Sequence, residues 1–447
     1  MLKRFFKLIF ILFAVSTLSF WICNHTNTDP IEQWCMLQHN ENEGFDCIYS
    51  EEAALKRKEW GLDLPLFYVE ISTWAEPDTL YKITDKKKQK AALIWLQHCG
   101  DWQKVQNYLI ASDALSKEFQ YIINQHLTDS NYFEYTHIQR EIHALSLETD
   151  SLELSQISAF PSLPSPSLPL FSQSANAMFK PKFNIKNYMP KISFFGFDNQ
   201  YHQWLIQVLQ GNWGKSYRTN QAVSDRIWDF VGRSAMFALL SFVLAYMIAI
   251  PLGVLKTAYH HSFLDKATDA FIFIINALPS FAIGIFLIVF FANPDIFDWF
   301  SPTYNSKGTW FERATLPLIA YTIGSATYLT TFIQSLLLAE MQQDYIRTAR
   351  AKGLCENFIY LRHAFKNILV PLLTSSAGLL PSLIGGSLAL EYVFSIGGMG
   401  EEALAAIQNV DIPMILAIMT ITGLLTVVGY MITDIFSYII DRRMSKE

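Results

Sequence analysis

Few residues in this sequence are placed to do chemistry, and each candidate has a plainer reading beside it. Gly211-Asn-Trp-Gly-Lys-Ser216 has the glycines, lysine and hydroxyl of a phosphate-binding loop. That motif needs four residues between its glycines so that backbone N–H groups can cradle phosphates, and here there are two. His260-His261 offers two imidazoles, but adjacent residues do not share a helix face, and only Asp265 lies near at ligand spacing. A solvated loop accounts for them, and His98-Cys99 reads the same way. No serine elbow, zinc-protease helix or paired-carboxylate site is evident, so the expectation is no catalytic residue, no metal ligand and no cofactor on this chain. The five cysteines, at 23, 35, 47, 99 and 355, are too scattered for a disulfide scaffold or a zinc site and leave at most one bridge, Cys35 to Cys47.

Carboxylates in apolar surroundings are the next candidates, because a charge at a membrane centre costs several kcal/mol. Glu391 ends one apolar run and Asp434 lies inside another. Both also fit solvation at an interface or pairing with a neighbouring helix. Gly385, Gly386 and Ser387 suit either a solute path or close helix packing, the ordinary use of small residues in membranes. Pro251 and Pro279 read as kinks.

The elements that must hold these residues follow from composition. Hydrophobic residues make up 51% of the chain and charged ones 17%, well under the roughly 25% of soluble domains. A net charge of -6 gives no reason to expect a nucleic-acid partner. A bilayer about 30 Å thick needs about 20 apolar helical residues. Six runs qualify: Phe5–Cys23, Ser234–Leu255, Ala270–Ala292, Leu316–Leu338, Ile368–Leu390 and Pro413–Ile440. Lys3, Arg4 and Lys7 precede the first, but no small-x-small cleavage site follows it, so it reads as an uncleaved anchor.

Positive charge in the short loops sets orientation. One side carries Lys3, Arg4, Lys7, Lys256, Lys266, Arg347, Arg350, Lys352, Arg362, Lys366, Arg442, Arg443 and Lys446; the opposite short loops carry Lys307 and Arg313. Both termini are therefore expected in the cytoplasm and residues 24–233 outside it. Within that outer segment, Lys86–Ser146 has apolar residues at helical spacing (Ala91, Ile94, Trp95, Val105, Tyr108, Leu109) broken at Gly100, which suggests short helices. A Pro/Ser-rich linker at about 155–170 follows.

One basic-side loop is richer. In Asp344-Tyr-Ile-Arg-Thr-Ala-Arg-Ala-Lys-Gly-Leu354, small Ala349 and Ala351 would let another protein approach the backbone, and Gly353 can end a helix in the left-handed conformation. A second helix is expected from Glu356, with Phe358, Leu361 and Phe365 as its apolar side and Pro371 in the opening turn of the next span. Such a pair could act as a lever between two membrane helices or lie at lipid headgroups.

The stretch Asp344–Pro371 resembles the cytoplasmic coupling loop of permease subunits of ATP-binding-cassette importers, in the form of the dipeptide/oligopeptide/nickel family. Leu361-Arg-His-Ala-Phe-Lys-Asn, Ile384-Gly-Gly-Ser-Leu-Ala-Leu-Glu-Tyr-Val-Phe-Ser-Ile and Gly397-Gly-Met-Gly400 are similar as well. So are Ala53–Leu66 and Tyr201–Tyr217, on either side of an unmatched insertion. Two departures stand out: the turn often written with a proline reads Ser395-Ile-Gly-Gly, and a final Asp-Pro-Arg is Asp441-Arg-Arg.

The resemblance implies an all-α polytopic membrane protein with six transmembrane helices of the ABC importer permease type. Its parts would be an anchor (1–23), an extracytoplasmic segment (24–68), a helical extracytoplasmic insertion (69–195), a second such segment (196–233) and a five-helix core (234–447) with its coupling loop at 339–367. It implies two ABC ATPase subunits that bind ATP and magnesium and dock at Asp344, Arg347, Ala349, Arg350, Ala351, Gly353 and Leu354. A second homologous permease, an extracytoplasmic substrate-binding protein and the bacterial inner membrane complete the assembly. Gly385, Gly386, Ser387 and Glu391 would lie along the path, and peptides are the first expectation for cargo, with nickel or another small solute also allowed. The competing class is a membrane-anchored adaptor acting through its outer domain. An ion-driven carrier would want midspan charges and inverted repeats, and neither is seen.

Overall fold

The computed structural model describes residues 2–24, 29–38, 47–48, 50–125, 166–178, 183–384 and 388–440. The chain divides into two compact units, one of Met1–Cys23 with Asn212–Glu447, the other of Asn24–Gly211.

The chain opens with α1 (Leu2–Asn24), and the second unit follows with α2 (Pro30–Gln38) and α3 (Glu51–Glu59). Cys35 and Cys47 are disulfide-bonded and buried with Ile31, Trp34 and Ala53. Strand β1 (Val69–Thr73) leads to α4 (Lys86–Cys99), α5 (Trp102–Gln125) and α6 (Leu168–Met178). Asp85 caps α4 by accepting from the N–H groups of Lys87 and Lys88, and Gly100, at φ +65°, ends it. The three helices close on Trp95, Tyr108 and Phe171, each buried, with Trp95 edge-on to Tyr108 and Tyr108 stacked on Phe171. Ile94, expected among the inward residues, is exposed; Ala92, Leu96 and Cys99 take the inner face instead. The Pro/Ser-rich stretch, where described, is already helical from Leu168, with Pro169 in the first turn.

Strand β2 (Pro190–Phe194) returns antiparallel to β1, pairing Ile71 with Ile192. Helix α7 (Gln200–Leu209) then starts where the chain had left, with Gln200 N–H donating to the Pro65 carbonyl and Phe195 N–H to that of Tyr68.

The first unit resumes with α8 (Val223–Ala258), α9 (Phe263–Ala277), α10 (Ser280–Phe291) and α11 (Trp310–Glu340). Next come α12 (Asp344–Ala351) and a continuous helical run over 356–384, here α13. The unit closes with α14 (Leu388–Phe394), α15 (Met399–Gln408) and α16 (Ile412–Ile440). Among the described residues α8, α11 and α16 are each long and apolar enough to span a bilayer, and α9 with α10 forms a fourth candidate. That pair is bent by 100°, so the kink expected at Pro279 is a sharp break between two helices. Proline at 279, whose φ is fixed and which has no N–H to donate, stands at the break as the N-cap of α10. Pro251, by contrast, sits inside the unbroken α8.

Candidate functional site

Two regions of the first unit carry the expected site residues. In the basic loop, α12 runs from Asp344 to Ala351, and Gly353 follows at φ +76°, donating its N–H to the Arg350 carbonyl at 2.9 Å. Ile346 and Ala349 are buried against Leu337, Ile359, Ala364 and Ile368. Ala349 therefore packs its methyl within its own chain. Asp344, Arg347, Arg350, Ala351, Gly353 and Leu354 are exposed.

Polar contacts tie this helix to its neighbours. Asn367 donates to Glu340 Oε1 at 2.9 Å and to Tyr345 Oη at 2.8 Å, and Tyr345 donates to the same Glu340 oxygen. Burial, followed by the hydrogen bond to the Glu340 carboxylate, pushes the Tyr345 phenol up to about 12. Arg350 reaches across Gly353 to both oxygens of Glu356, at 2.7 and 3.2 Å.

The α13 run begins at Glu356 as expected but does not stop before the membrane. Its turns Glu356–Phe358, Ile359–Ala364 and Phe365–Ile384 are continuous, and the middle stretch is π-helical. Pro371 consequently lies in a helix interior rather than in an opening turn. The wider π turn also rotates the buried face: Ile359, Ala364 and Ile368 point inward, while Phe358 and Leu361 are exposed. A strict 3.6-residue period places the apolar side on Phe358, Leu361 and Phe365 instead.

At the other region Glu391 has no exposed surface. Its Oε1 accepts from Ser234 Oγ at 2.7 Å, and its Oε2 accepts from the N–H groups of Gly400 (2.6 Å) and Glu401 (3.0 Å). Ser234 Oγ in turn accepts from Met399 N–H at 2.7 Å. Gly398, the N-cap of α15, has no side chain to cap with, so a carboxylate from α14 satisfies the helix's free N–H groups. The approach is close enough to require glycine: a Cβ on Gly398 would lie 2.4 Å from Ser234 Oγ and 2.7 Å from Glu391 Oε2. Gly397 sits at φ +66°, which a proline ring cannot reach. Interfacial solvation of Glu391 is thus excluded; it is the buried capping group of a turn. Gly385, Gly386 and Ser387, and the side chain of Asp434, lie outside the described residues.

The same end contains pins that sequence reasoning missed. Buried Asp411 accepts from Ser216 Oγ and from Tyr217 N–H, the latter at 3.0 Å, and Arg218 pairs with Glu402. The hydroxyl of the discounted phosphate-loop motif therefore serves to anchor its own loop. At the basic end, Lys256 is fully buried, paired with Asp269 and lying 3.4 Å from Asp265. Asp265 also accepts from Gln334 Nε2 and from His261 N–H, each at 3.0 Å, and lies 2.9 Å from His260 Nδ1. The two histidines are exposed in the turn between α8 and α9, as a solvated loop requires, and touch the rim of a network of buried Lys256, Asp265 and Gln334 that joins α8, α9 and α11. A lysine beside an apolar run, followed by carboxylates just past the turn, was the signal available for it.

Comparison with known proteins bears on both regions. Residues 249–446 match the family described as binding-protein-dependent transport system inner membrane component. The oligopeptide transport system permease protein AppB of Bacillus subtilis is 35% identical over 253 residues, 55% of this chain and 79% of that protein. The peptidoglycan transport system permease protein YejB of Agrobacterium fabrum is 31% identical over 270 residues, 57% of this chain and 74% of that protein. A solved structure of the MetNI methionine ABC transporter in inward-facing conformations aligns with a TM-score of 0.39 at 16% identity, over 48% of this chain and 96% of that one.

Proposed function

From a chain that belongs to the family of binding-protein-dependent transport inner membrane components, among the peptide ABC permeases, we propose half of the pathway of an ATP-driven peptide importer, coupled to two separate ATPase subunits. The observation that carries the coupling is the build of α12. Its inner side is locked into the membrane-spanning unit through Ile346 and Ala349, and its outer side leaves Arg347, Ala351 and Leu354 open. A partner seated there would push on α11 and α13 together, because both enter the same buried cluster. ATP binding in the partner then favours one arrangement of these helices and hydrolysis releases it, so access alternates by population shift.

This chain performs no hydrolysis in that scheme; ATP and magnesium are held by the partner subunits. Both termini and the α11–α13 loop face the cytoplasm of a bacterial inner membrane. A second permease chain completes the path, and a substrate-binding protein delivers peptide on the opposite side, where Asn24–Gly211 lies. Peptide as the cargo class is supported by the names that the related permeases carry.

The test is gentle detergent extraction of the tagged protein from its native membrane, followed by mass spectrometry of what stays bound. Recovery of ATPase chains and a second permease, lost in a Leu354→Asp variant, supports the reading. Stable complexes containing only envelope proteins would assign the function to the outer unit instead.

A further inference from the structure

The sheet of the second unit is inside out. Along β1 and β2 the side chains alternate between two faces. The register pairs Val69 with Phe194 and Ile71 with Ile192 on one face, and Glu70 with Ser193 and Ser72 with Lys191 on the other. The polar face is the one that packs on the unit: Ser193 is buried, and its hydroxyl and the Lys191 ammonium both reach Asp78, at 2.8 and 2.6 Å. The apolar face points away, with Ile71, Ile192 and Phe194 at 78%, 73% and 72% exposed. Just before β2, Phe183 and Tyr188 stack on one another and are 80% and 74% exposed. The three aromatics alone show on the order of 400 Å², the size of the largest apolar patch on an ordinary monomer.

Charge says what such a face meets. Residues 154–197 contain no Asp, Glu or Arg, yet hold Lys180, Lys182, Lys186 and Lys191 among the aromatics and isoleucines. Lys180 and Lys182 lie outside the described residues; Lys186 is exposed. The carboxylates near the ribbon do not oppose this charge. Glu70 is on the polar face, Asp78 is engaged by Lys191 and Ser193, and Glu76 accepts from the Thr73 hydroxyl. Protein interfaces are depleted in lysine and anchor on Trp, Tyr and Arg. Lysine interleaved with phenylalanine and isoleucine is instead the composition of segments that lie in a bilayer interface, where apolar side chains enter the acyl boundary and ammonium groups stay among anionic headgroups. Chain connectivity keeps a bilayer close, because the unit is tethered by α1 at one end and by the span α8 at the other.

We propose that the face formed by Val69, Ile71, Ile192 and Phe194, with Phe183 and Tyr188 beside it, docks on an anionic lipid surface. Its apolar side chains enter the acyl boundary, and Lys186 meets the headgroup phosphates. The proposal rests on the reading of this chain as a bilayer-spanning permease and holds for either leaflet.

The experiment uses the full chain with Cys355→Ser, in which the remaining free cysteines, Cys23 and Cys99, are buried. Ile192→Cys is labelled with the fluorophore NBD, and the protein is placed in nanodiscs of phosphatidylethanolamine and phosphatidylglycerol with or without brominated acyl chains. Leu239→Cys, an exposed position on α8, serves as the reference inside the bilayer. Brominated lipid is expected to quench the label at 192 at least half as strongly as at 239, and several-fold less in discs of phosphatidylcholine alone. Ile71→Glu, directly opposite on the same face, should remove the quenching at 192, and Lys186→Glu should reduce it about twofold; both residues are exposed, so the fold is kept. Quenching at 239 with none at 192 overturns the proposal and leaves the permease reading standing. A blue-shifted but unquenched label at 192 also overturns it, because that signal belongs to a protein partner or a second copy. So does equal quenching in phosphatidylcholine, which would remove the anionic requirement. Absence of quenching at both positions would instead overturn the bilayer reading itself.

Discussion

The Glu391 turn and the α12 loop solve the same problem in opposite ways. Each is a short helix set between membrane segments by a glycine and a few polar contacts. At the Glu391 turn, the carboxylate, the Ser234 hydroxyl and three backbone N–H groups find their partners within one chain, and Glu391 and Ser234 are both buried. At α12 the inner side is packed into the same chain, but the outer side leaves cationic, small and apolar side chains exposed. The turn is held from within its own chain, whereas α12 is packed on one side only.

The comparison can be broken most severely at the turn. Glu391→Ala leaves three donors without their acceptor, the Ser234 hydroxyl and Gly400 N–H among them buried, at about 1–3 kcal/mol for each buried group. Yield and thermal stability of the purified protein should fall sharply, and Gly398→Ala should match it through the clash with Ser234. A stable Glu391→Ala protein would show that the turn is not held from within. Next in size is Ala349→Trp, which overpacks the inner side of α12 at about 1–3 kcal/mol and should lower the melting temperature as well as partner retention.

Substitutions on the open side sharpen the contrast. Ala351→Trp or Leu354→Asp should leave the melting temperature within error while cutting co-purified ATPase about tenfold, equivalent to about 1.4 kcal/mol. Equal losses of stability for Ala349→Trp and Ala351→Trp would erase the distinction between the two sides. Arg350→Ala should cost only a few tenths of a kcal/mol, because the pair with Glu356 is half exposed.

The smallest effect is one of pH. Tyr345 keeps its proton to about 12 against a usual 10, so its contribution is complete below 10 and is lost as pH rises through 12. The melting-temperature gap between wild type and Tyr345→Phe should be constant at neutral pH and shift only above 10. A gap that changes between pH 6 and 9 would contradict that assignment.

The helix Asp344–Ala351 and its end are legible in sequence because Gly353 has one conformational use. The buried face of α13 is not, since the π-helical stretch at Ile359–Ala364 breaks the period on which such reasoning depends. The third span reads as one run because hydropathy is blind to direction, and a 100° bend at Pro279 leaves composition unchanged. Glu391 is visible as a carboxylate at the end of an apolar run. Its role is hidden because two of its three donors, the N–H groups of Gly400 and Glu401, are backbone, and the third is a serine from α8. Lys256, Asp265 and Gln334 escape notice for a related reason: their partnership is made by three helices meeting, which no spacing along one chain encodes.

The stem of the second unit has a different kind of consequence. Because Gln200 and Phe195 bond back to Pro65 and Tyr68, everything between them leaves and rejoins the chain at a single point. Such a segment is a cassette in the genetic sense. It could be gained, lost or exchanged for another in one event, with Leu66 and Gln200 joined directly, so that this segment can evolve on its own schedule while the membrane-spanning unit stays as it is.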